Sequence, residues 1–198
     1  MIDVKKIELL NTSMCTLMET SRDNHDGVDY YLSDSKLKVV NFDAVKEKYI
    51  RELSLPMPTS SDALYIDDNG DFYLIEFKAG IIDTKKSYLI GRKIYDSLLI
   101  LTDIIKEGIS FTRQRLSFIL VYDESKNPLE LHPCGEVQFS PSREAIIKQI
   151  NDKRAQKEQI RFSLERFETV YFKRVFTRTK DEFENEFVHH WAACRETR

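Results

Sequence analysis

The chain has 198 residues, 41% of them hydrophobic and 32% charged, with a net charge of −3 at pH 7. That mix excludes wholesale disorder, and a chain this long buries enough surface to fold without a disulfide or metal staple. The longest unbroken apolar runs are far short of the ~20 residues that span a bilayer, and the opening MIDVKKIELL lacks a signal peptide's apolar centre.

A single cytoplasmic domain, 1–198, that does not enter a membrane is the expectation. Cys15, Cys134 and Cys194 are widely spaced and odd in number, which points to neither a disulfide framework nor a zinc site. Residues 1–83 carry nine Lys and Arg against sixteen Asp and Glu, whereas residues 143–180 carry eleven against five. An acidic half that holds cations and a basic surface that meets anions would produce this split, as would a solvated helix face.

In chain order, Ile7 to Thr20 reads as a helix or an extended lead-in. Ser21–Gly27 is polar and turn-like, and Lys36–Val40 suits a short strand. Asn41 caps a predicted helix from Phe42 to Leu53, with Phe42, Val45, Tyr49 and Leu53 on one face. Pro56 and Pro58 enforce a loop. Ala63–Ile66 and Phe72–Phe77 are aromatic and branched runs joined by Asp67–Asp71, a hairpin pattern.

A long helix is predicted from Thr84 to Lys106, capped by Asp83, with Tyr88, Ile94, Tyr95, Leu98, Leu101 and Ile105 as its apolar positions. Leu116–Tyr122 is the continuous apolar run of a strand covered on both faces. After a loop over Asp123–Gly135, a charged helix from Ser140 or Ser142 to about Gln159 and a strand over Val170–Thr177 follow. A final helix opens at Thr179 with the capping box Thr179/Glu182. The expected fold class is α/β: a central mixed sheet with helices on both faces.

The chemistry concentrates in the hairpin. Gly70 suits the left-handed position of a three-residue loop, which pairs Asp67 with Asp71 and sets Asp62 across from Glu76. A slip of one residue would turn Asp62 to the other face. Glu76 and Lys78, two apart, share a face. Two facing carboxylates on an otherwise apolar surface repel unless a cation lies between them, and Mg²⁺ favours such oxygen ligands. Lys78 adds a positive charge for an attacking water or a developing oxyanion.

Ser61-Asp62 followed by Ile75-Glu76-Phe77-Lys78 resembles the signature of the PD-(D/E)xK nuclease superfamily, whose members share the restriction-endonuclease-like fold. The resemblance covers about 41–123 and leaves residues 1–40 and a C-terminal helix-strand-helix extension, about 136–198, unmatched. It implies a nuclease hydrolysing phosphodiester bonds of DNA, with RNA as second choice. Mg²⁺, for which Mn²⁺ substitutes, would be held by Asp62, Glu76 and the Phe77 carbonyl, and Lys78 would serve catalysis.

Ser61 replaces the family's proline. The further helix acid of many members falls on Glu52 or Glu47, and the basic residue of the following helix falls on Lys85, Lys86 or Lys93, which would meet nucleic acid. The second Glu-x-Lys, Glu124-Ser125-Lys126, lies in a polar turn. The negative net charge and the unmatched C-terminal third leave one alternative open. It is a catalytically silent binding module of this fold, such as an immunity or defence accessory protein contacting another protein. A homodimer would suit cleavage of both strands of a duplex. The aromatics Phe162, Phe167, Tyr171, Phe172 and Phe176, interleaved with Arg161, Arg166, Lys173 and Arg174, read as packing more than as base stacking.

Overall fold

The structure is a computed structural model that describes residues 7–25, 28–51, 57–128 and 160–196. The expected helix over 140–159, His132-Pro133-Cys134 and Glu52 lie outside these residues. Among the described residues, a mixed sheet of six strands runs in the order β1-β4-β5-β6-β7-β8. These are β1 (Met14–Thr16), β4 (Lys38–Asn41), β5 (Ala63–Ile66), β6 (Phe72–Lys78), β7 (Leu116–Tyr122) and β8 (Arg174–Thr179). Pairing is antiparallel from β1 through β6 and parallel for β6-β7 and β7-β8. The sheet therefore begins well before Asn41, and the C-terminal strand joins it directly.

Strand alternation gives the sheet two apolar faces. Leu64, Phe72, Leu74, Phe118 and Leu120 point to one face, under α3 (Phe42–Arg51) and α4 (Thr84–Ile105). Ala63, Tyr65, Ile75, Ile119 and Val121 point to the other. There they meet the C-terminal helix, an α-turn (Lys180–Phe183), a π-turn (Glu184–Val188) and an α-segment (His189–Glu196). Trp191 stacks on Tyr65 with ring centroids 4.1 Å apart, which accounts for the lone tryptophan. Each buried Leu, Ile or Phe contributes roughly 1.5–3 kcal/mol, so both layers are needed. Every residue of β7 is buried, as a strand between two parallel neighbours requires.

α4 matches its predicted start, since the Asp83 side chain accepts the Lys86 N–H at 2.7 Å. Its buried stripe is Ile90, Ile94, Leu98, Leu101 and Ile105, whereas Tyr88 and Tyr95 are 65% and 42% exposed. The two tyrosines were expected on the apolar face; they sit about 100° round the helix from its centre, where the Tyr95 ring packs edge-on against Phe167 and Tyr171. Gly91 lets α4 approach Phe167 and Arg166 closely, because a Cβ there would lie 3.1 Å from the guanidinium. A short helix, α5 (Ile109–Arg115), precedes β7 and was not expected.

The N-terminal segment is more ordered than its polarity suggests. After α1 (Glu8–Asn11) and β1 comes α2 (Leu17–Thr20), then a two-stranded hairpin of β2 (Arg22–His25) and β3 (Val28–Tyr31). The expected turn at 21–27 is thus partly strand, held across the pair by Arg22 and Asp29 at 2.9 Å. Its polar residues serve a ribbon with little core to bury. None of the described helices is long and apolar enough to cross a membrane.

Candidate functional site

The β5-β6 turn has the geometry its sequence dictates. Gly70 adopts φ 76°, its N–H donates to the Asp67 carbonyl, and the Asp67 carboxylate accepts the Asn69 and Asp71 N–H groups at 2.9 Å each. The ladder pairs Ile66 with Phe72, Leu64 with Leu74 and Ala63 with Ile75. Asp62, just beyond the last pair, gives its N–H to the Ile75 carbonyl at 3.0 Å, and its side chain meets Glu76 around Lys93.

Ahead of Asp62 the chain leaves β6 and turns to α4. Thr59 donates its N–H and hydroxyl to Asp96 Oδ2 at 2.9 and 2.7 Å, and Ser61 N–H donates to Ser97 Oγ at 2.7 Å. Asp96 and Ser97 share a face of α4 with Lys93, three and four residues away. In the gap that opens, Asp62 Oδ2 takes the Phe77 N–H at 2.7 Å, standing in for the lost ladder partner. A strand residue's N–H and C=O point to the same edge, so the Phe77 carbonyl faces this gap too. Ser61 thus does what a proline could not, since proline has no N–H to give Ser97.

Glu76, near the C-terminal end of β6, is 0% exposed. Its Oε1 accepts from Lys93 Nζ at 2.7 Å and Lys78 Nζ at 2.5 Å, while Oε2 has no hydrogen-bond partner among the described residues. An unsatisfied buried carboxylate oxygen costs at least about 1–3 kcal/mol, so this atom stands out. Lys93 also reaches Asp62 Oδ1 at 3.2 Å. Two carboxylates and two ammonium groups therefore form a compact quartet with no net formal charge. Burial and the Glu76 carboxylate push the Asp62 carboxyl up to about 7, against the opposing pull of Lys93, Lys78 and the Phe77 N–H. Burial works against the Lys93 ammonium, but Glu76 and Asp62 outweigh it and hold Lys93 above the ordinary lysine value.

A polar cleft of about 250 Å³ opens beside the quartet, bounded by Asp62, Phe77 and Lys78. Asn41 and Asp43 at the start of α3, and Glu19 and Asp23 from the N-terminal segment, line its other walls. Asn41 Oδ1 caps α3 by accepting the Ala44 N–H at 2.9 Å, and Asp43 accepts from Lys46 Nζ and the Ser60 hydroxyl. Asp43 was not singled out from sequence. Its place two residues after the end of β4 was the available signal.

Of the three lysines expected to meet nucleic acid, only Lys93 comes to this site, and it does so as a carboxylate partner, 24% exposed. The α4 face bearing Asp96 and Ser97 is turned inward, toward the start of β5, and brings Lys93 with it to the site. Lys85 and Lys86 are exposed in the first turn of α4, with Lys86 Nζ lying over Gly80. Glu47 is exposed on α3, and Glu124-Ser125-Lys126 is the expected turn. Phe167 and Phe172 are fully buried, consistent with packing. Lys173 and Arg115 pair with Asp71, at the other end of β6 from Glu76.

The oxygen donors at hand for a hard cation are the Asp62 carboxylate, Glu76 Oε2 and the Phe77 carbonyl. Among the described residues, no three His, Cys, Asp or Glu side chains converge into a ready metal cage. No family model matches the chain, and neither the curated proteins nor the solved structures give a significant match.

Proposed function

We propose that the chain is a Mg²⁺-dependent nuclease of restriction-endonuclease-like fold, hydrolysing phosphodiester bonds of DNA and, as second choice, RNA. The observation that carries this reading is Glu76 Oε2, a fully buried carboxylate oxygen with no partner, beside a second carboxylate. The order of elements supports it: helix α3, an antiparallel hairpin, a long helix, then a parallel strand, with Asp62, Glu76 and Lys78 at one end of the hairpin.

Mg²⁺ binds through one or two carboxylates and keeps several waters, so a pair of acids plus the Phe77 carbonyl is a sufficient donor set. When bound, the ion supplies charge neutralisation at the phosphate and a lowered pKa for its water. The chain's own part is to hold two acids at fixed register and to set Lys78, 29% exposed, at the mouth of the cleft. There the Lys78 ammonium orients a water for attack on phosphorus and stabilises the extra negative charge of the transition state. Lys85 and Lys86, exposed beyond the end of β6, supply phosphate contacts.

One observation favours a second reading: the lysines already balance both carboxylates, as suits a module that binds and does not cut. Incubation with single-stranded and plasmid DNA in Mg²⁺, with a chelator control and the double variant Asp62→Ala/Glu76→Ala, separates the two. Cleavage that needs the metal and both acids supports the nuclease. Cleavage retained by the double variant sinks it, and no cleavage by the native chain favours the binding module.

A further inference from the structure

Lys93 holds a different position in the quartet from Lys78. It contacts both carboxylates, Glu76 Oε1 at 2.7 Å and Asp62 Oδ1 at 3.2 Å, and so lies between them. Lys78 pairs with Glu76 at 2.5 Å. Both oxygens of Asp62 are engaged: Oδ2 by the Phe77 N–H, which the strand holds in place, and Oδ1 by Lys93. Among the described residues Glu76 Oε2 has no partner, whereas each Asp62 oxygen accepts one bond. A cation shared by the two acids therefore competes with Lys93, which already bridges them through Asp62 Oδ1 and Glu76 Oε1. Two cations cannot both sit on one oxygen at low cost, because an ammonium and a divalent ion held that close repel strongly where water screens them poorly.

We propose that Lys93 is the resting counter-ion of the carboxylate pair, which a divalent metal ion must displace in order to bind. This rests on the metal-dependent reading given above. In the metal-free protein Lys93 keeps the two acids together without mutual repulsion. When a metal ion arrives, the four-carbon stem lets the ammonium swing off Asp62, toward the side on which Lys93 is already partly exposed. The site thus has two states that exclude each other, and the affinity for metal is set by the difference between them. A substitution that removes the Lys93 charge leaves the pair with one uncompensated negative charge and makes the metal-bound state the easier one to reach.

Calorimetric titration of Mn²⁺ into the native chain, Lys93→Met and Lys93→Arg tests this. Lys93→Met should bind Mn²⁺ at least about tenfold more tightly, and Lys93→Arg, which keeps the charge, should stay within about threefold of native. Equal or weaker binding by Lys93→Met overturns the inference and leaves the nuclease reading standing. Binding by none of the three overturns the nuclease reading and the inference with it.

Amine labelling of the native chain covers the case in which Lys93→Met fails to fold. With acetic anhydride and peptide mass mapping, Lys93 should be protected without metal and labelled when Mn²⁺ saturates the site. Protection that Mn²⁺ leaves unchanged would overturn displacement.

Discussion

The Phe77 N–H donates to Asp62 Oδ2 at 2.7 Å, so a side chain completes the ladder where β5 leaves β6. One residue thereby carries two duties, closing the end of the hairpin and presenting its second oxygen to Lys93. Asp62→Ala should expose both. The Phe77 N–H loses its acceptor, at about 1–3 kcal/mol of stability, and cleavage should vanish. Urea melts alongside nuclease assays check this; unchanged stability would mean that water replaces the carboxylate freely.

Asp62 also makes stability depend on pH. Its carboxyl stands at about 7 in the folded chain against an ordinary 3.8. A carboxyl raised by folding favours the folded state most at low pH, and that contribution is lost as pH rises through about 7, up to about 4 kcal/mol in all. In chelator, the stability of Asp62→Asn relative to native should therefore rise from pH 4.5 to pH 8. Parallel melting curves for the two proteins would refute the shift.

Ser61→Pro would bring the chain closer to the nuclease signature and should still destabilise it. The Ser61 N–H that donates to Ser97 Oγ disappears in a buried place, at about 1–3 kcal/mol. Thermal melting reads the result, and a neutral or stabilising outcome would show that the Ser97 contact does not anchor Asp62.

Gly70→Ala tests the turn that sets the register. At φ 76° an alanine is strained, and about 1 kcal/mol should be lost with the fold intact. A much larger loss, with changed near-ultraviolet circular dichroism, would mean that the hairpin slips.

The hairpin and its turn, with Ile66 across from Phe72 and Leu64 across from Leu74, were legible because alternation and a glycine turn are local signals. β7 was legible as a continuous apolar run, and the Thr179/Glu182 capping box as a short-range pattern. Lys93 was only one of three lysines, because choosing it requires knowing which face of α4 meets the start of β5. The bonds of Thr59 to Asp96 and Ser61 to Ser97 fix that face, and they join residues more than 30 apart in sequence. Asp43 was missed for a related reason: the resemblance draws attention to Glu47 and Glu52, later in the sequence, while the cleft wall is built by the first turn of α3. The β2-β3 ribbon was taken for a turn because a hairpin with little core leaves no hydrophobic alternation.

The most direct test of the account is calorimetric titration of Mg²⁺ and Mn²⁺ into the native chain and into Glu76→Ala. Saturable binding by the native chain, lost in the variant, is the result predicted from the buried, unpartnered Oε2 of Glu76. No binding to the native chain, or equal binding to both, would contradict it.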